Sequence, residues 1–444
     1  MNAAPADQPS VTFYVLGGSG DLARRLLIPG LAGYLREYPG SRVTLVGAGR
    51  SEVEDYAGVV RDSLAAAGFE GEVVEQLASS ASYLVTDATD SADLQQLLDS
   101  AEPGERSVLY FALSPAITTA AVEGLDKVEL PDDIILAMEK PFGEDAAGAR
   151  ELNEKLLQIT DEEHIFRIDH FNYESAVSNL TGLVGANALF SAGWHRGDIE
   201  AVEVIYDESL ALEGRAEFYD NNGAVRDMLQ SHLLQVMAHT LAAGAEDTTA
   251  DILAATIIDP GSVRRARYTA GEIHGRRLPA YADEEGVDPQ RDTETLFQVT
   301  ATVDTERWAG VPVTLRSGKA IGDPRQEIAV TYRRRGHADE LQVTPGTRLV
   351  FPFSDEVAVD VNVSDHGYRH NLQRVTLQAT LVPSRLSPYG RVVRAILSGR
   401  ATTEVAPEAP ERSWEIIEPV LRAFAEDSVP LEEYPAGSQG PADW

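Results

Sequence analysis

The 444-residue sequence contains no cysteine. Disulfides, thiolate metal sites and a cysteine nucleophile are therefore excluded. Long apolar runs are also missing, and nothing approaches the roughly 20 apolar residues that a membrane helix needs. The first ten residues, MNAAPADQPS, have neither a basic start nor an apolar core, so they are expected to be loose and not to act as a secretion signal. A cytoplasmic protein without a membrane partner is the expectation. Basic residues are scarce, 37 against 71 acidic ones, for a net charge of −34. A solvated acidic shell of this kind repels nucleic acid and anionic lipid, so neither is an expected partner. Any anionic ligand must enter through a local cationic pocket. Lysine is scarcest of all: Lys127, Lys140, Lys155 and Lys319 stand against 33 arginines. Where arginine is used almost everywhere, a lysine inside a motif points to a compact, point-like charge.

What the chain does have is two textures. From Val11 the runs VTFYVLGG, VTLVGAGR, SYLVTD, SVLYFALS, DIILAMEKPFG and HIFRIDH alternate with helical pattern, the first helix running from Asp21 to about Arg36. Such alternation predicts an α/β, Rossmann-type doubly wound parallel sheet. After about residue 170, strands follow one another without intervening helices: AVEVIYDES, TLFQVTATVD, VPVTLRSG, EIAVTYRRR, TRLVFPF, VAVDVNVS and VTLQATLV. They predict a large, mainly antiparallel α+β domain, its open face covered by helices such as 223–243 and 411–424. The division expected is 1–168 for the first domain and 169–444 for the second. Residues 244–251, the region 280–292, TTEVAPEAPER and the tail YPAGSQGPADW read as loops or linkers.

The first strand ends at Gly17, and Gly18, Ser19, Gly20, Asp21, Leu22 and Ala23 follow, a G-x-G-x-x-A run that opens a helix. Glycines permit the tight turn and let the backbone touch a pyrophosphate on the helix N-terminus. A purely structural glycine turn is the alternative. An NAD site usually carries an acid at the end of the second strand, whereas VTLVGAGRSE ends in Arg50. An arginine there suits the 2′-phosphate of NADP, unless it is a solvated loop residue. Ligands bind at the carboxyl ends of parallel strands, where Ser114-Pro115, Lys140-Pro141 and Asp169-His170 also fall. Lys140 in EKPFG and Lys319 in LRSGKAI both sit on strand-end turns, as functional groups or as ordinary surface lysines, and Pro141 fixes its turn or is cis.

Two stretches carry candidate chemistry. RIDHF (167–171) sets a carboxylate beside an imidazole after an apolar run, and DNNGAVRDMLQSHLLQVMAHT (220–240) places His232 within an apolar helix. A buried carboxylate orienting a histidine is equipment for taking a proton from a hydroxyl. A core histidine satisfied by a neighbour is the plainer reading. The remaining histidines (His164, His195, His239, His274, His337, His366 and His370) carry no comparable pattern and read as structural or exposed. No cluster of metal-ligand spacing is found, so no metal is expected.

Taken in order, GGSGDLARRLLIPGL, VGAGRS, EKPFG, RIDHF, FYDNNGAVRDMLQSHLLQ, ERWAGVPVTLRSGKAI and GSQGPAD resemble the signature segments of the glucose-6-phosphate dehydrogenase family over about residues 11–440. The resemblance implies oxidation of a pyranose C1 hydroxyl to a lactone with NADP, and a homodimer formed through the second sheet. By position, His232 resembles the general base and Asp169 the carboxylate that orients it. Lys140 resembles the lysine that bridges substrate and nicotinamide. Glu208 and Asp227 resemble acids on sugar hydroxyls, Lys319 a substrate-side lysine, and His170 a phosphate ligand.

The resemblance breaks where the sugar phosphate is gripped. The family segment runs R-I-D-H-Y-L-G-K-E, and this one runs RIDHFNYES. Phe171 lacks the tyrosine hydroxyl, and Glu174 stands where the lysine does. Drift toward arginine does not explain a charge reversal, and a carboxylate near a dianion costs binding. Leu26 and Asp207 replace two further family lysines, while Arg325 lies one place from a family basic position and could compensate. Three readings stay open: glucose 6-phosphate held by substitutes such as His170 and Arg325, an unphosphorylated or modified sugar met by Asn172, Tyr173 and Glu174, or a non-catalytic nucleotide-binding regulator.

Overall fold

The computed structural model describes residues 10–101, 104–334, 346–364, 372–399 and 405–444. The expected loose start up to residue 9, part of the TTEVAPEAPER loop, and His337, His366 and His370 lie outside the described residues. Two compact units divide the chain: 1–173 with 384–411, and 174–383 with 412–444.

The first unit is built on six strands: β1 (Ser10–Leu16), β2 (Arg42–Gly49), β3 (Ala81–Val85), β4 (Arg106–Phe111), β5 (Ile135–Glu139) and β6 (Ile165–Ile168). They pair in parallel in the order β3-β2-β1-β4-β5-β6. The central strands are continuous apolar runs because helices cover both faces of such a sheet. A π-helical turn, Ala23–Leu27, leads into the helix Ile28–Glu37. Packed on that helix is another, Pro388–Ser398, from the far end of the sequence. Ser387 caps it through Gly390 N–H at 3.1 Å, Pro388 supplies the pre-set first turn, and Gly399 in the left-handed region ends it. The two helices cross closely: a Cβ on Gly30 would stand 2.9 Å from the Tyr389 backbone. Leu27, Ile28, Leu31, Val392, Val393 and Ile396 are fully buried there, each worth about 1.5–3 kcal/mol of apolar transfer.

The second unit holds β7 (Ile199–Asp207), β8 (Thr256–Ile258), β9 (Arg264–Thr269), β10 (Gly271–Ile273), β11 (Arg276–Leu278), β12 (Leu296–Val303), β13 (Val313–Gly318), β14 (Gln326–Tyr332), β15 (Arg348–Pro352), β16 (Glu356–Ser364), β17 (Leu372–Thr380) and β18 (Leu431–Pro435). The main sheet runs β17-β16-β15-β14-β7-β13-β12-β9-β18, with β8 on β12 and β10–β11 as a separate hairpin. Pairings are antiparallel except β7 with β13 and β9 with β18. Both expected architectures are present.

Two expected loops are ordered elements instead. Within 244–251 a helix, Thr249–Ala254, starts at a capping box formed by Thr248 and Asp251. The residues that cap helices also compose turns, so the composition of TTAD does not separate the two. In the tail, Tyr434 and Pro435 belong to β18, and the fully buried Tyr434 donates its hydroxyl to Lys319 O at 2.6 Å.

Candidate active site

In the first unit the strand order reverses between β1 and β4, and ligands of open α/β sheets bind at that switch point. A cleft of about 430 Å³ lies there, lined by Gly17, Ser19, Gly20, Arg50, Thr86 and Ser114 among others. Gly17 has φ +87°, and a Cβ on it would lie 2.3 Å from Ala112 O. A Cβ on Gly18 would stand 2.6 Å from Gly47 Cα. The turn is fixed by Gly17 N–H and Gly18 N–H donating to Ala48 O at 2.8 and 3.1 Å, and by Tyr56 OH donating to Gly18 O at 3.0 Å. The helix that follows opens with first-turn N–H groups that have no partner within it, the arrangement that receives a pyrophosphate. Asp21, the first of these residues, pairs outward with Arg25 at 3.2 Å, and Leu22 is half-buried. Across the cleft Ser114 and Pro115 begin the helix Pro115–Leu125, a second N-terminus at the same opening. Arg50 is exposed at the end of β2. Asp87, whose carboxyl is held below its ordinary range by bonds from Thr89 and by the Arg50 charge, stands beside it. The glycine cradle and cationic rim fit a phosphorylated dinucleotide.

At the neighbouring strand ends the Lys140–Pro141 peptide is cis. Asp169, buried, follows β6 and accepts from Phe171 N–H at 3.0 Å, which turns the chain into the short 3-10 helix His170–Tyr173. The His170 ring lies 5.1 Å from that of Phe171 and 5.2 Å from that of Tyr389.

In the second unit the helix carrying His232 is not regular. It passes from Ala216–Ala224 through a π-helical stretch, Val225–Leu233, into Leu234–Ala242. Gly223 (φ +69°, ψ 173°) breaks it, and Glu294 accepts from Val225 N–H at 2.9 Å just beyond the break. π-Bulges of this kind are frequent at functional sites. His232 is buried with Leu229, Leu233 and Val236, and Asp227 is half-buried one turn earlier. Lys319 Nζ bonds Glu208 Oε2 at 2.6 Å, and the ammonium lies 5.2 Å from the centre of the Tyr219 ring. Glu208, Asp227 and Glu294 all help to hold the buried Tyr219 hydroxyl protonated, after the larger effect of burial. The structure thus gathers Glu208, Asp227 and Lys319 around Tyr219. Tyr219 was not singled out from the sequence, although it stands within the FYDNNG motif.

Two further positions, Arg325 and Asp207, have definite partners. Arg325 is already engaged by acids: it bonds Glu327 at 2.6 Å and Glu203 at 3.3 Å, both of which also bond Arg348. Asp207 is buried and accepts twice from Arg316 Nε at 3.2 Å. Glu174 takes the N-cap position of the helix Ser175–Ala186, and with Glu208 it adds to the burial that pushes Tyr206 up to about 12. Leu26 is 42% exposed.

Residues 14–179 match the family model described as "Glucose-6-phosphate dehydrogenase, NAD binding domain", and 183–444 match its "C-terminal domain". The chain belongs to the glucose-6-phosphate dehydrogenase family. Glucose-6-phosphate 1-dehydrogenase of Gluconobacter oxydans is 31% identical over 97% of this chain and 94% of that one. Glucose-6-phosphate 1-dehydrogenase 2 of Mycobacterium tuberculosis is 30% identical over 96% and 90%. Among solved structures, a glucose-6-phosphate dehydrogenase in complex with its substrate glucose-6-phosphate superposes with TM-score 0.87 at 26% identity, covering 99% and 97%. The glucose-6-phosphate 1-dehydrogenase of Mycobacterium avium gives 0.83 at 28%, covering 98% and 96%. As a member of this family the protein is an NADP-dependent oxidoreductase. Among the described residues no helix is long and apolar enough to cross a membrane.

Proposed function

We propose that the protein oxidises the C1 hydroxyl of a hexose 6-phosphate to the lactone. NADP, bound in the cleft, supplies the acceptor for the hydride. Gly17, Gly18, Ser19, Gly20, Asp21, Leu22, Ser114 and Pro115 hold its pyrophosphate region, and Arg50 holds the 2′-phosphate. His232 takes the hydroxyl proton as a neutral imidazole, and Asp169 orients that imidazole and stabilises it once charged. Lys140 would bridge the sugar and the nicotinamide. Glu208, Asp227 and Lys319 hold sugar hydroxyls, and His170 holds the phosphate. The protein acts as a homodimer. The observation that carries this reading is the family match across both units, together with the grouping of Glu208, Asp227 and Lys319 in the second.

A second reading has its own support. Phe171 offers no hydroxyl, Glu174 is anionic, and Arg325 is already held by Glu203 and Glu327. On that reading the substrate is an unphosphorylated or modified sugar. Glu174 also has a local reason to be acidic, since an anion at a helix N-terminus gains about 0.3–1 kcal/mol. Following NADPH absorbance with a panel of aldoses and their 6-phosphates separates the readings. Turnover of glucose 6-phosphate at ordinary efficiency supports the first, and turnover confined to unphosphorylated sugars supports the second. No reduction with any sugar would leave a nucleotide-binding regulator.

A further inference from the structure

One buried acid next to the candidate site has no role in the scheme above. Glu139, the last residue of β5 and the neighbour of Lys140, is 6% exposed. Its Oε1 alone accepts from two tyrosine hydroxyls: Tyr110 of β4, and Tyr389 of the helix Pro388–Ser398 at 3.0 Å. Tyr389 in turn lays its ring against that of His170. The charged and titratable groups around Glu139 come from each surrounding element: Lys140 just past the end of its own strand, Tyr110 on β4, Asp169 at the end of β6 and Tyr389 on the helix. Tyr173 lies close enough to Tyr110 to affect its hydroxyl, and the Tyr389 ring links the network to His170.

A carboxyl buried among apolar strands is costly unless its bonds are made, and a single oxygen with two phenolic donors makes them. Ionised, that oxygen holds both hydroxyls with charge-assisted bonds about twice as strong as neutral ones. Protonated, it holds them more weakly and no longer attracts the Lys140 ammonium. We propose that Glu139 is a positioning residue of this site: anchored by Tyr110 and Tyr389, its carboxylate fixes where Lys140 and the His170 ring stand, and loss of its charge loosens both. Burial pushes this carboxyl up to about 7, partly opposed by the two hydroxyls and by Lys140, while Asp169 adds to the rise. The change of charge therefore falls in the working pH range of most enzymes. The catalytic consequence rests on the function proposed above, whereas the hydrogen-bonded network does not.

Glu139→Gln tests the charge, because the amide keeps an acceptor oxygen for both tyrosines. The pH profile of kcat/KM for the sugar is then expected to lose one of two ionisations on its acid limb, with kcat down about tenfold and KM for NADP unchanged. A Glu139→Gln profile that superimposes on that of the wild type after scaling overturns the proposal. A second measurement needs no turnover: the side-chain carboxyl resonance of Glu139 in carbon-13-labelled protein, assigned by its loss in Glu139→Gln. It is expected to titrate near neutrality and to move upward in Tyr389→Phe, which removes a donor to the ionised form. Titration at an ordinary glutamate value, or no movement in Tyr389→Phe, overturns the network itself. If no sugar is turned over, the functional reading fails, and the resonance still decides the role of Glu139. Should Glu139→Gln fail to fold, the kcat/KM profile of Tyr389→Phe, with its acid limb displaced upward, carries the same test.

Discussion

Replacing Gly17 by alanine tests the cofactor cradle, and Gly68→Ala provides the control. Both glycines have positive φ, +87° and +77°, but a Cβ at Gly68 meets nothing within 4 Å while one at Gly17 lies 2.3 Å from Ala112 O. The backbone penalty for alanine at such φ is about 1–2 kcal/mol, common to both variants. At Gly17 the carbonyl must also retreat by more than an ångström. It cannot do so freely, because Gly17 N–H bonds Ala48 O at 2.8 Å and Ala112 N–H bonds Leu16 O at 2.9 Å, tying β1 to both neighbours. Overpacking of a well-packed site adds about 1–3 kcal/mol. Gly17→Ala should therefore lose about 2–5 kcal/mol and Gly68→Ala about 1–2. At about 2–4 °C per kcal/mol for a unit of this size, calorimetry resolves the two. NADP binding measured by titration calorimetry should fall at least tenfold in Gly17→Ala and stay unchanged in Gly68→Ala. Equal Tm shifts with intact NADP affinity in both variants would refute the claim that this turn is crowded for the sake of the nucleotide.

Glu174→Lys should tighten KM for glucose 6-phosphate about tenfold or more if an anion at 174 weakens the phosphate grip, at a cost of about 0.5–1 kcal/mol to the helix it caps. An unchanged KM would remove Glu174 from the phosphate site. Arg316→Met leaves Asp207 buried and unpaired, so urea denaturation should show a loss of about 3–5 kcal/mol, most of it recovered in Arg316→Met/Asp207→Asn. A double variant no more stable than the single would refute the pairing. Lys319→Met should raise KM for the sugar without altering NADP affinity, because the ammonium stands with Glu208 and Tyr219 in the second unit. The buried Glu139 carboxyl sets a pH window. Its folded value of about 7 lies above the ordinary 4.5, so its contribution to stability is full below about 4.5 and is lost as pH rises through 7. Urea midpoints should show Glu139→Gln gaining on the wild type by up to about 3 kcal/mol across that window, whereas a difference constant with pH would contradict it.

The sheet of the first unit was legible because its central strands are near-continuous apolar runs closed by Gly or Pro turns, as in VTFYVLGG and DIILAMEKPFG. The candidate residues of the second unit were legible as motif positions, and Lys319 stood out because lysine is so scarce. The return of Pro388–Ser398 to the first sheet was not legible, since its partner surface on Ile28–Glu37 lies some 350 residues earlier and no local pattern encodes it. Tyr110, Tyr219 and Tyr389 were missed for a related reason. A tyrosine in an apolar run reads as core, and only packing reveals that its hydroxyl meets Glu139 or that its ring faces Lys319. Arg325 shows the converse. Its position suggests a spare cation, but Glu327 two residues on and Glu203 on the adjoining strand β7, whose approach no local pattern shows, already hold it.

Turnover of glucose 6-phosphate with NADP by the wild type and by His232→Asn measures the proton-transfer role most directly. The wild type should form NADPH, and the variant should lose about 10²–10⁴-fold in kcat while binding NADP normally. A variant that keeps kcat within about twofold would show that His232 is a core histidine and that the proton leaves by another route.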